Sequence, residues 1–87
     1  MGLRRRRTPP AVVTLVTRAG CHLCEQAEPM VARAAADAGV RFELADVDSD
    51  AGLRSRWTDK VPVVLLDGVE HAYWQVDDKA LRAALRG

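Results

Sequence analysis

Two cysteines, Cys21 and Cys24, stand two residues apart and are the only cysteines in the 87-residue chain. They follow Val12–Val16, an apolar run rich in β-branched residues, and they open a stretch with helical spacing. A C-x-x-C pair between a predicted strand and a predicted helix is typical of a redox-active dithiol. Any thiol chemistry of this chain therefore takes place at this one turn.

Length and composition indicate a single small globular domain. The chain is 48% hydrophobic and 29% charged, with a formal net charge of +1. This balance argues against bulk binding to nucleic acid or to a membrane surface. Since no secretory signal and no run of ~20 apolar residues is evident, we expect a cytoplasmic protein. We also expect it to be a monomer. In that compartment, paired cysteines are more often catalytic or metal-binding than structural.

The first ten residues differ from the rest of the chain. Arg4–Arg7 form a run of four arginines that precedes Thr8-Pro9-Pro10. Runs of like charge beside prolines rarely order, so residues 1–10 are predicted to be a disordered basic tail. A docking arm for an acidic partner is the alternative. The folded domain is then predicted to cover residues 11–87.

Hydrophobic spacing divides this domain into strands and helices. The predicted order is a strand over Ala11–Thr17, a helix over Cys21–Ala38, a strand over Val40–Val47, a short helix over Ala51–Trp57, strands over Val63–Leu66 and Val69–Tyr73, and a last helix that starts at Asp77 or Asp78 and runs through Leu85.

The connections predict the fold class. A helix joins the first two strands, so these should be parallel with a right-handed crossover. Asp67-Gly68 is a type I′ hairpin signal, which makes the last two strands antiparallel. The chain is therefore predicted to be an α/β protein, βαβ followed by ββα, with a four-stranded mixed sheet packed by three helices.

The first helix carries its own signals. Gly39 lies where a left-handed C-terminal cap belongs, and Pro29 should kink the helix from within. Spacings of three and four residues predict one buried face, made of Leu23, Ala27, Met30, Val31, Ala34 and Ala38.

This order resembles the minimal thioredoxin fold, with the cysteine pair at its active-site turn. The chain is most similar to small bacterial glutaredoxin-like proteins, through the string Thr17-Arg18-Ala19-Gly20-Cys21-His22-Leu23-Cys24-Glu25. Three more positions fit: Arg18 before the pair, Pro29 after it, and Val61-Pro62, where the fold carries a cis-proline beside the thiols. The resemblance covers about Ala11 to Leu85.

Two positions depart from these families. Glutaredoxins usually carry a Gly-Gly pair before the last helix, which approaches bound glutathione. In this chain that stretch reads His71-Ala72-Tyr73-Trp74-Gln75 and contains no glycine. Thioredoxins carry a buried aspartate six residues before the first cysteine as a proton acceptor, and this chain has Leu15 there.

The resemblance implies a thiol–disulfide oxidoreductase in which Cys21 attacks and Cys24 resolves. At the start of a helix the pKa of Cys21 should lie below that of free cysteine, with Arg18 and His22 adding to the effect. Val61 and Pro62 would bind substrate. The expected partners are a disulfide-containing protein or a low-molecular-weight thiol. No bound cofactor is expected, and glutathione or another thiol would serve as co-substrate.

Other readings of the same residues stay open. The two thiols could belong to a zinc site with His22 and His71, or to a cluster that bridges two subunits. The chain could also be a non-catalytic thioredoxin-fold adaptor or redox sensor that presents Tyr73, Trp74 and the arginine tail to a partner.

Overall fold

The computed structural model describes residues 8–87, and the predicted tail residues Arg4–Arg7 lie outside this range. In chain order the elements are β1 (Val12–Thr17), α1 (His22–Ala38), β2 (Arg41–Asp46), a 3₁₀ helix (Val47–Ser49), α2 (Ala51–Trp57), β3 (Val63–Leu66), β4 (Val69–Tyr73) and α3 (Asp78–Leu85).

The four strands form one mixed sheet in the order β2-β1-β3-β4. β1 pairs with β2 in parallel and with β3 in antiparallel orientation, and β3 and β4 are antiparallel. The hairpin between β3 and β4 turns at Asp67 (φ 51°) and Gly68 (φ 84°), the pair of positive φ angles that a type I′ turn requires. The predicted order, pairing and fold class are confirmed.

Helices cover both faces of the sheet, and each face has its own apolar cluster. On one face, side chains of β1 and β3 pack against α1 and α3: Val13, Leu15, Ala27, Val31, Ala34, Ala35, Val64, Leu81 and Leu85. On the other face, the core is formed by Val16, Val47, Trp57, Val63 and Leu65. Because side chains alternate along a strand, β1 contributes to both clusters, which explains why four of its six residues are apolar.

The first helix begins and ends as predicted, but its buried face is rotated. Gly39 caps the helix with φ 71°, and its N–H reaches the carbonyls of Ala35 and Ala36. The buried residues are Cys24, Ala27, Val31, Ala34 and Ala35. Two residues predicted to be buried are exposed: Leu23, next to Cys24 in the first turn, and Ala38, the last residue of the helix.

β2 is an edge strand and is shorter than predicted. It ends at Asp46, whose carboxylate accepts a hydrogen bond from the Asp48 N–H (2.9 Å) and opens the 3₁₀ helix. Val47 therefore leaves the strand and becomes fully buried against α2. Leu44, on this edge strand, is 51% exposed. Among residues 8–87, no helix has the length and apolar character to cross a membrane.

Candidate active site

A tight turn connects β1 to α1 and positions Cys21. The Cys21 N–H donates to the Arg18 carbonyl (3.2 Å), and Gly20 adopts φ 78°, a conformation that glycine takes without strain. Cys21 has extended backbone angles and is the N-cap of α1. Its Sγ accepts a hydrogen bond from the Cys24 N–H at 3.1 Å. The sulfur thus takes the place that a Ser or Asp oxygen commonly fills at a helix start.

The two sulfurs are joined as a disulfide. The Cα atoms are 5.2 Å apart, within the usual range for such a bond. The two cysteines differ in access, because Cys21 is half-buried whereas Cys24 is only 3% exposed. This arrangement supports reversible exchange between a dithiol and a disulfide, with one sulfur presented at the surface and the other behind it.

Arg18, predicted to tune the pKa of Cys21, binds two distant segments. Its guanidinium contacts both Asp48 carboxylate oxygens (2.9 and 3.0 Å), the Thr58 carbonyl (3.0 Å) and the Thr58 hydroxyl (2.6 Å). The hydrogen bond between the two side chains raises the pKa of Arg18 and lowers the pKa of Asp48. The positive charge is therefore shared with a carboxylate, and an effect on Cys21 stays a prediction.

The second predicted tuning residue, His22, is exposed on the first turn of α1. Its Nε2 lies 3.3 Å from the Gln26 side-chain nitrogen, one turn further along. His71, the other histidine, lies half-buried on β4. Within residues 8–87, no three or more His, Cys, Asp and Glu side chains gather in a way that could hold a metal ion.

The Val61-Pro62 peptide bond is cis, as the resemblance implied. Val16 pairs with Val63, so the antiparallel register carries Pro62 to the end of β1 from which the Cys21 turn departs. The Pro62 side chain is fully buried, and its carbonyl accepts the Trp74 N–H at 2.9 Å. A role for Val61 and Pro62 in substrate binding stays a prediction.

An apolar surface lies beside this turn. The sequence predicts exposure of Tyr73 and Trp74 only under the adaptor alternative, and it does not predict the exposure of Leu23. Leu23, Tyr73 and Trp74 are 43%, 37% and 53% exposed and line a common depression with Gln75. Leu23 was predicted to be core because its spacing fits the helical stripe. A signal against that prediction is its place between the cysteines, in a first turn whose buried residue is Cys24.

Several known proteins are similar to this chain in sequence or in structure. Residues 12–86 match the family described as Glutaredoxin-like domain (DUF836). An uncharacterized protein of Mycobacterium tuberculosis is 45% identical, over 82% of this chain and 78% of its own length. An X-ray structure of a structural-genomics target protein from X. campestris is 39% identical, with a TM-score of 0.67 and coverage of 85% of this chain and 95% of that one.

A variant thioredoxin from Halobacterium salinarum shares the fold at 23% identity, with a TM-score of 0.66 over 90% of this chain and 74% of that one. The match to the family covers all four strands and all three α-helices. The chain therefore belongs to the glutaredoxin-like domain family and has the thioredoxin fold, with its cysteine pair at the start of the first helix.

Proposed function

We propose that this protein is a thiol–disulfide oxidoreductase that reduces protein disulfides or mixed disulfides through Cys21 and Cys24. One observation carries the proposal: the two sulfurs are within bonding distance, and the more accessible one caps a helix N-terminus. The free N–H groups and the positive end of the helix dipole favour an anion at that point, and the thiolate is the nucleophilic form of cysteine.

The reaction starts from the reduced protein. The Cys21 thiolate attacks one sulfur of the substrate disulfide, forms a mixed disulfide, and releases the first substrate thiolate, which takes up a proton. The Cys24 thiol then loses its proton and attacks the Cys21 sulfur. The internal disulfide forms and the second substrate thiol leaves. The substrate gains two electrons, and the protein loses two.

A thiol donor must return those electrons before the next turnover. Glutathione or another low-molecular-weight thiol has the required chemistry, as a co-substrate rather than a bound cofactor. Such thiols are kept reduced in the cytoplasm, which is where we place the protein. The main chain of Val61 is our candidate for pairing with an extended substrate, because within residues 8–87 no backbone hydrogen bond outside the helices and strands engages it.

Turnover of a model disulfide by wild type, Cys21→Ser and Cys24→Ser tests the proposal. We expect Cys21→Ser to lose activity, because the attacking sulfur is gone. Cys24→Ser should stop at the mixed disulfide, which mass spectrometry detects as an adduct on Cys21. Wild-type activity in Cys21→Ser would refute the proposed mechanism.

The exposed pair Tyr73 and Trp74 favours a second candidate, a non-catalytic adaptor that binds a partner protein. The double variant Cys21→Ser/Cys24→Ser separates the two candidates. Unimpaired partner binding by this variant, together with no measurable reductase turnover by the wild type, would support the adaptor instead.

A further inference from the structure

Trp74 adopts a backbone conformation that bulky residues rarely take. Its φ is 64°, at the end of β4, and a bulky side chain in this region is strained unless its surroundings fix it. Three hydrogen bonds fix Trp74. Its backbone N–H is shared between the carbonyls of Pro62 (2.9 Å) and Lys60 (3.3 Å), and its indole N–H donates to the Asp59 carbonyl (2.9 Å). A glycine would adopt the same φ freely. What the tryptophan adds at this position is therefore its indole ring.

The ring is held over the groove beside the cysteine pair. This groove is a depression of about 490 Å³ lined by Leu23, Tyr73, Trp74 and Gln75, and the surface that it exposes is mostly apolar. It adjoins a cavity of about 360 Å³ between Trp74 and α1, where the exposed surface is mainly polar. The indole N–H is already bonded, so the ring offers its apolar surface to a ligand. The Tyr73 ring stands edge-on to Trp74 at 5.0 Å between centroids, and the Lys60 Nζ lies 4.9 Å from the Tyr73 centroid. These contacts hold the aromatic wall in place.

The residues that line this groove favour a neutral, apolar ligand. Its residues are uncharged, and among residues 8–87 no charged side chain lines either the depression at Tyr73 or the adjoining cavity against α1. Glutathione carries carboxylates and an ammonium group, which such a lining leaves without partners. A neutral apolar side chain loses no charge solvation on entering and removes apolar surface from water.

We propose that this groove binds an apolar side chain next to the reactive cysteine of a protein substrate, with Trp74 and Leu23 as specificity-determining residues. The proposal rests on the dithiol function above and names its substrate class: extended protein segments with apolar flanks, in preference to glutathione disulfides. The Trp74 N–H donates to the Pro62 carbonyl, and Pro62 lies at the end of β1 from which the Cys21 turn departs. The groove therefore lies at the same end of the sheet as the sulfur that attacks.

A single-turnover experiment tests this inference without any assumption about the electron donor. The reduced protein is mixed with the symmetric disulfide of a short peptide whose cysteine is flanked by leucines, or of a matched peptide flanked by asparagines. Oxidised glutathione is the third substrate. The rate constant for the appearance of free thiol is measured for each, and one protein dithiol reduces one disulfide to two thiols.

We expect the wild type to reduce the leucine peptide faster than the asparagine peptide and oxidised glutathione. Trp74→Gly, which keeps the backbone angle available, should lower the leucine-to-asparagine rate ratio by about tenfold, the scale of losing one large apolar contact. Leu23→Ala provides a second variant, at an exposed helix position that alanine favours. Val69→Ala is the control, since Val69 is 69% exposed at the opposite end of β4.

The leucine-to-asparagine rate ratio separates a loss of selectivity from a loss of folding, because a misfolded site would slow the reduction of both peptides alike. Equal wild-type rates for the two peptides, or an unchanged ratio in both variants, would overturn the inference and leave the dithiol function intact. A wild type that reduces none of the three disulfides would instead remove the proposed function, and the inference with it.

Discussion

Arg18 and Asp48 form a doubly hydrogen-bonded ion pair across 30 residues of sequence. Arg18 Nε lies 2.9 Å from one carboxylate oxygen, and a terminal guanidinium nitrogen lies 3.0 Å from the other. The same guanidinium holds both oxygens of Thr58. Arg18 lies in the turn before Cys21, and Thr58 lies just before Val61-Pro62. One side chain therefore ties together the two segments that carry the predicted site residues.

We predict that Arg18→Lys does not replace arginine. Lysine keeps the positive charge but lacks the planar fork that bonds Asp48 and Thr58 together. If Arg18 acts by holding the Cys21 turn against the segment at Thr58, Arg18→Lys and Arg18→Gln should both displace that turn. Each variant should then lower kcat/KM by about two- to tenfold. Steady-state kinetics and the thiolate titration of Cys21 check this. Full activity in Arg18→Lys with loss in Arg18→Gln would show that charge alone matters.

We predict that Asp48 makes stability depend on pH in the acid range. The hydrogen bond from Arg18 holds the pKa of Asp48 below its ordinary value in the folded state. The pair therefore contributes fully above the unfolded pKa, and the contribution is lost as pH falls below about 4 through the lower folded pKa.

Thermal unfolding of wild type and Asp48→Asn checks this prediction. The wild type should melt higher at pH 7, by a few degrees at most because the pair is exposed, and the difference should shrink at pH 3. Glu70→Gln is the control, because Glu70 is an exposed acidic residue on β4, away from Arg18 and Asp48. A difference that grows on acidification would contradict the assignment.

We predict that the reduced protein has a Cys21 pKa below that of free cysteine. The cause is the helix N-terminus, where Sγ receives the Cys24 N–H. Thiolate absorbance of Cys24→Ser, followed against pH, measures Cys21 alone. His22→Gln in the same background separates the contribution of the imidazole. A midpoint at or above that of free cysteine would show that the helix start does not stabilise the anion.

We predict that Leu15→Ala lowers the free energy of unfolding by about 2–5 kcal/mol. Leu15 is fully buried on the sheet face that packs against α1 and α3, so the truncation leaves a cavity. This is a large share of the stability of a small domain. Leu44→Ala is the matched control, because Leu44 is 51% exposed on the edge strand and should change stability by less than about 0.5 kcal/mol. Urea unfolding measures both, and similar losses would contradict the assigned core.

Local sequence signals were enough to predict the elements and their order. The apolar run of β1, the helical spacing of α1, the cap at Gly39 and the turn at Asp67-Gly68 each act within a few residues, and each is confirmed. The cysteine pair at the start of α1 belongs to the same class of local signal.

The contacts that complete the site are not local. Arg18 meets Thr58 across 40 residues, and the groove joins Leu23 to Trp74. No hydrophobic period encodes such pairings, since they depend on how the loops at one end of the sheet come together. Helical spacing alone predicts that Leu23 is buried, because it fits the apolar stripe of α1. In the structure the first turn of the helix buries Cys24 instead, and Leu23 is exposed.

The apolar surroundings of Cys24 affect how its thiol can lose a proton. Among residues 8–87, Cys24 is buried, and no polar or charged side chain is buried with it. With no buried base beneath it among these residues, we expect the proton of the Cys24 thiol to leave toward bulk water or onto the outgoing substrate sulfur. The pace of ring closure should then follow the acidity of the departing group and of the surrounding medium, rather than a relay inside the fold.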